Sequence, residues 1–321
     1  MDFQRVLITG CGGMLGNAIY PYFRERYKDV LATDIQIEKD ETNWLSYLDA
    51  RDEQAMRKAF ADFKPDLVLH LAALVDVERC ELDPQESKLS NAETTRIAAT
   101  LAKQHDAVLV YISTGGVFDG TKVGLYTEDD RPNPIMVYGA DKLGGELNVR
   151  NAGGRHYVIR PGWMVGGGPR NDHKFVYMIL EQLAAGAKTI YGVTDKTGTP
   201  TYTHDFARNL FALLSRDAFG TYHMVCKGTG TRFDVAKEIV QICGYETEVK
   251  PVDSSFFAER FFVKRPDSEM LFNQGLERLG INIMRDWRVA LREYLQRDYV
   301  GFLAKGGNHD SEGLGQGRKT A

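Results

Sequence analysis

A doubly wound α/β fold on a parallel sheet is what this sequence predicts, and three observations carry that expectation. Short β-branched runs alternate with helical patterns through the first half of the chain. The first run ends in a glycine-rich turn that opens a helix. A later run, Leu67-Val68-Leu69-His70-Leu71, is apolar enough to be a strand covered on both faces. The bulk numbers agree. The chain has 321 residues, 43% of them apolar and 26% charged, enough for one large α/β domain or two smaller ones. A net charge of −4 provides no basic field for nucleic acid or an anionic membrane, so anionic ligands must be met by local groups. The four cysteines (Cys11, Cys80, Cys226 and Cys243) are scattered without a CxxC pair, which points to reduced thiols in a cytoplasmic protein. The start of the chain runs almost directly into a strand, leaving no room for a signal peptide, and no apolar run approaches membrane-spanning length.

The first strand, Arg5 to Thr9, leads into Gly10-Cys11-Gly12-Gly13-Met14-Leu15-Gly16, and a helix with Leu15, Ile19, Tyr22 and Phe23 on one side follows. Strand, glycine turn and helix in this order make the phosphate-cradling unit of a Rossmann-type sheet. Gly10 permits the tight turn, Gly13 lets backbone approach a pyrophosphate, and Gly16 allows close helix packing. The helix N-terminus at Met14 and Leu15 then meets negative charge with free N–H groups. The second strand, Val30 to Asp34, ends in a carboxylate about 20 residues past the glycines, where an acid accepts hydrogen bonds from a ribose. Neither the glycine turn nor Ile35-Gln36-Ile37 offers a cation for a 2′-phosphate, so NAD is expected over NADP. Asp49 and Ala50, after a third short strand, are placed to flank the adenine; Asp49 could equally cap the helix Glu53 to Phe63. Leu71, Ala72 and Ala73 end the next strand with small residues against which a cofactor can lie. His70, inside that apolar strand, is expected to be a core histidine.

Pro84 to Lys103 reads as one long helix, with Asn91 as a hydrogen-bonding residue on its inner face. Strand Ala107 to Ile112 ends in Ser113-Thr114-Gly115-Gly116, and hydroxyls at a strand's carboxyl end sit where open α/β sheets bind ligands. A helix then opens at Val137-Tyr138-Gly139-Ala140-Asp141-Lys142. Tyr138 and Lys142, four residues apart, project from one face. A phenol titrates near pH 10, and a neighbouring ammonium favours its ionised form, so this pair is a candidate proton-transfer device. Strand Tyr157 to Arg160 follows, and beyond Val165 the pattern loosens. Helices are expected over Asp172–Ala185, Asp205–Ser215, Phe233–Cys243 and Trp287–Arg297, with short strands at Thr189–Gly192 and Tyr222–Val225. This divides the chain into a dinucleotide-binding domain over 1–165, with returning segments near 200–226, and a smaller α/β domain over 166–300. Residues 305–321, rich in glycine and charge, read as a disordered tail. No carboxylate or histidine cluster has the spacing of metal ligands.

With these residues in view, the chain resembles the extended short-chain dehydrogenase/reductase superfamily over nearly its whole length. The resemblance rests on Gly10, Gly13 and Gly16, Asp34, Ser113-Thr114, and Tyr138 with Lys142, all in the family's order. It looks most like the dTDP-4-dehydrorhamnose reductase branch through Ser113-Thr114-Gly-Gly-Val-Phe-Asp-Gly120, the run from Tyr138 to Glu146, Gly198-Thr-Pro-Thr-Tyr202, and Arg265-Pro266-Asp267-Ser268. That resemblance implies NAD(P)H-dependent reduction of the C4 ketone of a nucleotide-linked 4-keto-6-deoxy sugar by a homodimer. Tyr138 would give the proton, Lys142 would lower the Tyr138 pKa and bind the nicotinamide ribose, and Thr114 would hydrogen-bond the carbonyl oxygen. The smaller domain would bind the substrate, with Gly115 a candidate contact; Trp163 could stack on a base or sugar, or could equally pack at the domain boundary. Arg170 and Lys174, at helical spacing, and Arg265 are candidates for its diphosphate. One departure stands out. The branch usually has an acid straight after the threonine, whereas Gly115 and Gly116 follow here. This argues against the dehydratases, which use an Asp-Glu pair there. An epimerase, or a non-catalytic nucleotide-binding subunit on the same fold, would carry similar motifs.

Overall fold

A computed structural model describes residues 3–37 and 44–303; the tail expected at 305–321 lies outside the described residues. Strands β1 (Arg5–Thr9), β2 (Asp29–Asp34), β3 (Ser46–Tyr47), β4 (Leu67–His70), β5 (Val108–Ile112) and β6 (His156–Arg160) form one sheet with Gly220–His223. The order across that sheet is β3-β2-β1-β4-β5-β6 and then Gly220–His223, every pairing parallel. Strand order reverses between β1 and β4, which opens a crevice at the carboxyl ends of those two strands.

The period of two along each strand builds two cores. Val6 and Ile8, Leu67 and Leu69, and Val108 and Val110 pack with helices Met14–Arg26 and Thr203–Leu214. On the opposite face Leu7, Val68, Leu109 and Tyr111 join Phe60, Ala98 and Val149 from helices Glu53–Phe63, Thr94–Gln104 and Val137–Ala152. Residues beyond Val165 share the first of these cores through Ile179, Ile239, Trp287 and Tyr294.

Three local expectations need correction. The long helix over Pro84–Lys103 is interrupted by a π-helical segment, Leu89–Glu93, and a further helix, Val77–Leu82, precedes it. The interruption accommodates Asn91, whose side-chain amide accepts from Leu74 N and donates to Leu74 O, both at 3.1 Å. Asp49 caps nothing: Asp52 accepts from Gln54 N and Ala55 N at the start of Glu53–Phe63, while Asp49 pairs with Arg51 at 2.7 Å. Helix Asp172–Ala185 is two pieces, Gly168–Asn171 and Phe175–Ala184, with the Asp172 side chain turned back onto Lys174 N between them.

Candidate active site

The glycine turn is built by close approaches. Gly10 has φ +68° and lies so near Ala72 at the end of β4 that a β-carbon would fall 2.5 Å from Ala72 N. A β-carbon on Gly16 would collide with the Cys11 carbonyl, so the helix is pressed onto the turn itself. Gly13 differs: a β-carbon there would meet only the Gly10 carbonyl, at 3.4 Å, and Gly13 gives the helix no capping side chain. The N–H groups of Met14 and Leu15 open that helix, while the Leu15 side chain is buried in the core. Asp34 at the end of β2 accepts from Gly12 N and from Gln36 N, both at 2.9 Å. The loop, the free helix end and the carboxylate surround one crevice and fit a dinucleotide. Leu71, Ala72 and Ala73 remain half-buried beside it. Ala50 is buried in the core with Met56 and Phe60 of helix Glu53–Phe63.

Across the crevice stands helix Val137–Ala152. The Thr114 hydroxyl accepts from Gly116 N at 3.1 Å, closing the turn Gly115–Val117, and stands close enough to the Tyr138 phenol to favour its ionised form. Tyr138 keeps part of its surface exposed, yet the protein around its phenol pushes the pKa well above the ordinary value. Burial is the main cause and the Cys80 thiol adds to it, with the nearby Thr114 hydroxyl opposing the shift. Lys142 is buried, its Nζ 4.4 Å from the centre of the Tyr111 ring. Burial brings its pKa down to about 7, opposed by Glu146. The net lowering of the Tyr138 pKa expected from the spacing is not what this structure has, because burial raises it. Desolvation dominates both groups, and Tyr138 rests as a protonated phenol.

Two buried groups support this pair. Glu146, one turn beyond Lys142, takes 2.8 and 2.7 Å hydrogen bonds from Arg160 and a 2.6 Å bond from Ser113. His70 lies on the same sheet face as Tyr111. Its Nδ1 bonds the Thr9 hydroxyl at 2.8 Å, its Nε2 has no partner, and burial with Lys142 nearby drives its pKa down to about 3. It is a neutral core histidine.

The substrate candidates sort less cleanly. Gly115 is buried, donates to Pro161 O, and has Leu271 in the space of its missing side chain, so it faces the core. The Trp163 ring packs against Gly198 and under Arg232, whose guanidinium is 4.0 Å from the ring centre. Arg170 and Lys174 do not share a helix face, because the chain turns between them. Lys174 has exposed surface, yet dense surroundings lower its pKa, with Asp172 opposing that shift and Arg232 adding to it. Arg265 pairs with Glu78 at 2.8 Å, tying the later part of the chain to helix Val77–Leu82. The sequence reading missed two residues of this cluster. Arg232 starts the helix that was expected to begin at Phe233, and Glu269 directly follows the Arg265–Ser268 stretch. Glu269 accepts from Trp163 Nε1 at 2.8 Å. Among the described residues no cluster of His, Cys, Asp and Glu is arranged to hold a metal, and no helix is long and apolar enough to cross a membrane. A shallow pocket bordered by Lys103, His156 and Gly220 opens at the other end of the sheet, away from this chemistry.

Comparison with known proteins bears on the same residues. The family described as RmlD substrate binding domain matches residues 4–300. The chain belongs to this family. Within the extended short-chain dehydrogenase/reductase superfamily it sides with the dTDP-4-dehydrorhamnose reductase branch, and it is an NAD(P)-dependent oxidoreductase. It is 31% identical to the spore coat polysaccharide biosynthesis protein SpsK of Bacillus subtilis, over 91% of this chain and 97% of that one. To a dTDP-4-dehydrorhamnose reductase of Mycolicibacterium smegmatis it is 32% identical, covering 90% and 84%. The crystal structure of a dTDP-4-dehydrorhamnose reductase from Clostridium acetobutylicum superposes with a TM-score of 0.83 at 32% identity, covering 91% and 99%. One from Bacillus anthracis, in complex with NADP, gives 0.83 at 27% identity with the same coverage.

Proposed function

We propose that this chain reduces the C4 ketone of a nucleotide-linked 4-keto-6-deoxy sugar, with Tyr138 as proton donor. The observation that supports the reading is that the Thr114 hydroxyl and the Tyr138 phenol lie together beside buried Lys142, at the carboxyl end of β5. A ketone oxygen held by both hydroxyls meets two donors aimed where negative charge grows. Bound nicotinamide cofactor supplies the hydride to the ketone carbon. Tyr138, protonated at rest, gives its proton to the developing alkoxide. Lys142 stabilises the phenolate left behind and holds the nicotinamide ribose, and Thr114 fixes the carbonyl oxygen.

We assign cofactor binding to residues 1–165 with the returning segments near 200–226, and substrate binding mainly to 166–300. Arg232 and Arg265, with Lys174 near Arg232, form the cationic group best placed for a diphosphate. Asp34, already fixed beside Gly12 by backbone N–H groups, supports NADH over NADPH through its repulsion of a 2′-phosphate.

The test is cofactor oxidation, followed by absorbance, with dTDP-, GDP-, CDP- and UDP-linked 4-keto-6-deoxy sugars and both cofactors. Turnover with one sugar and a higher kcat/KM for NADH is expected, and Asp34→Ser should shift the ratio towards NADPH. Interconversion of sugars without net cofactor consumption would make the protein an epimerase instead.

A further inference from the structure

The Glu269 carboxylate stands in the same cluster as Thr114 and Tyr138 and has no part in the chemistry above. A β-carbon on Gly116 would lie 3.4 Å from Thr114 Oγ1 and 3.6 Å from Glu269 Oε1. One small space, bordered also by the Met136 methyl group at 3.2 Å, therefore lies between the threonine hydroxyl and this acid. The carboxylate is held from behind, since Oε2 accepts from the Trp163 indole at 2.8 Å. Trp163 is itself fixed by Gly198 on its ring and by the Arg232 guanidinium. Strand pairing of Ser268–Glu269 with Thr197–Gly198 sets the backbone on which Glu269 sits.

We propose that Glu269 is a substrate-contacting, specificity-determining residue that accepts a hydrogen bond from the sugar hydroxyl on the carbon next to the ketone. This rests on the ketoreductase reading. With the ketone oxygen at Thr114 and Tyr138, the neighbouring C3 hydroxyl is the group that reaches across the Gly116 gap, and a carboxylate fixed by one oxygen has the other free to accept. Burial raises the Glu269 carboxyl pKa, opposed by the Trp163 hydrogen bond, Arg232 and Arg265. A sugar hydroxyl satisfies a carboxyl in such surroundings, whereas a substrate without that hydroxyl leaves it facing apolar carbon.

The experiment compares wild type, Glu269→Gln and Glu269→Ala on two nucleotide-linked 4-keto-6-deoxy sugars, one with the C3 hydroxyl and one 3-deoxy. Cofactor Kd is measured beside kcat and KM. For Glu269→Ala, kcat/KM on the hydroxylated sugar should fall about 10- to 100-fold further than on the 3-deoxy sugar, with Glu269→Gln between and cofactor Kd preserved. Equal losses on both sugars would reduce Glu269 to a hydrogen-bond acceptor for Trp163 and a counter-charge for the arginines, and overturn the proposal. Solvent deuterium appearing at C3, lost in Glu269→Ala, would make the residue a base and overturn it too. A wild-type protein that binds and reduces neither sugar overturns the ketoreductase reading and this role with it, an outcome told from the others by the wild type alone.

Discussion

A proton donor must keep its proton until charge develops on the substrate, and Tyr138 is arranged for that. Its phenol pKa is raised by burial, against the influence of the nearby Thr114 hydroxyl, so it is protonated across the neutral range. Tyr138→Phe should lower kcat about 100- to 10,000-fold while cofactor Kd and the circular dichroism spectrum stay unchanged. A regulatory subunit would not respond. Lys142 makes a different prediction because its folded-state pKa lies below its unfolded value, falling from 10.5 to about 7. Between those values the unfolded chain binds more protons, so stability rises with pH there. Below about pH 7 the lysine is charged in both states and the desolvation penalty is complete. Lys142→Met should therefore raise Tm by about 2–6 °C near pH 6 and by much less near pH 10, while abolishing reduction. Calorimetry at the two pH values checks this; a gain that grows with pH would sink it.

At the scale of an element, the glycine turn separates packing from ligand binding. Gly16 presses the helix Met14–Arg26 onto Cys11, and an alanine there must push that helix away. Gly13 has room for a methyl group on its own account, so only a ligand explains why its surface matters. Gly13→Ala should keep Tm within about 2 °C of wild type, yet weaken NADH binding at least tenfold by isothermal titration. Gly16→Ala should lower Tm severely in a thermal melt. The π-helical segment at Leu89–Glu93 shows the reverse relation. Nothing in the periodicity of 84–103 marks it, because it is a response to where Leu74 lies. Asn91 reaches Leu74 from seventeen residues away, and the helix opens locally to let it.

Over the whole molecule, Glu146 and Arg160 are the buried charges that hold the Tyr138 helix to the sheet. Glu146 is fully buried and Arg160 nearly so, and Ser113 and Arg150 complete the group. Glu146→Gln leaves a guanidinium without a counter-charge in the interior, and should destabilise the protein by about 3–5 kcal/mol in denaturant unfolding. It should also lower the Lys142 pKa further, since Glu146 opposes burial there. Glu146→Asp should recover part of both effects.

Much of this protein was fixed by local order in the chain. The run from Arg5 to Gly16 specifies strand, turn and helix because each step obeys a short-range rule: β-branched residues, a positive φ at Gly10, an uncapped helix start. Helix Glu53–Phe63 and the spacing of Tyr138 and Lys142 were legible for the same reason. Tertiary structure decided what depends on meetings between distant segments. The phenol and ammonium pKa shifts follow from burial, which no spacing encodes, and burial raises the Tyr138 pKa that the spacing was expected to lower. Arg170 and Lys174 look like helical neighbours until Asp172 turns the chain between them. Glu269 becomes a site residue only because the strand carrying it pairs with Thr197–Gly198 and brings its carboxylate to Trp163, 106 residues earlier. A sequence states which groups exist and the local geometry they favour, while the dielectric and the neighbours that give those groups their chemistry arise only when the chain closes on itself.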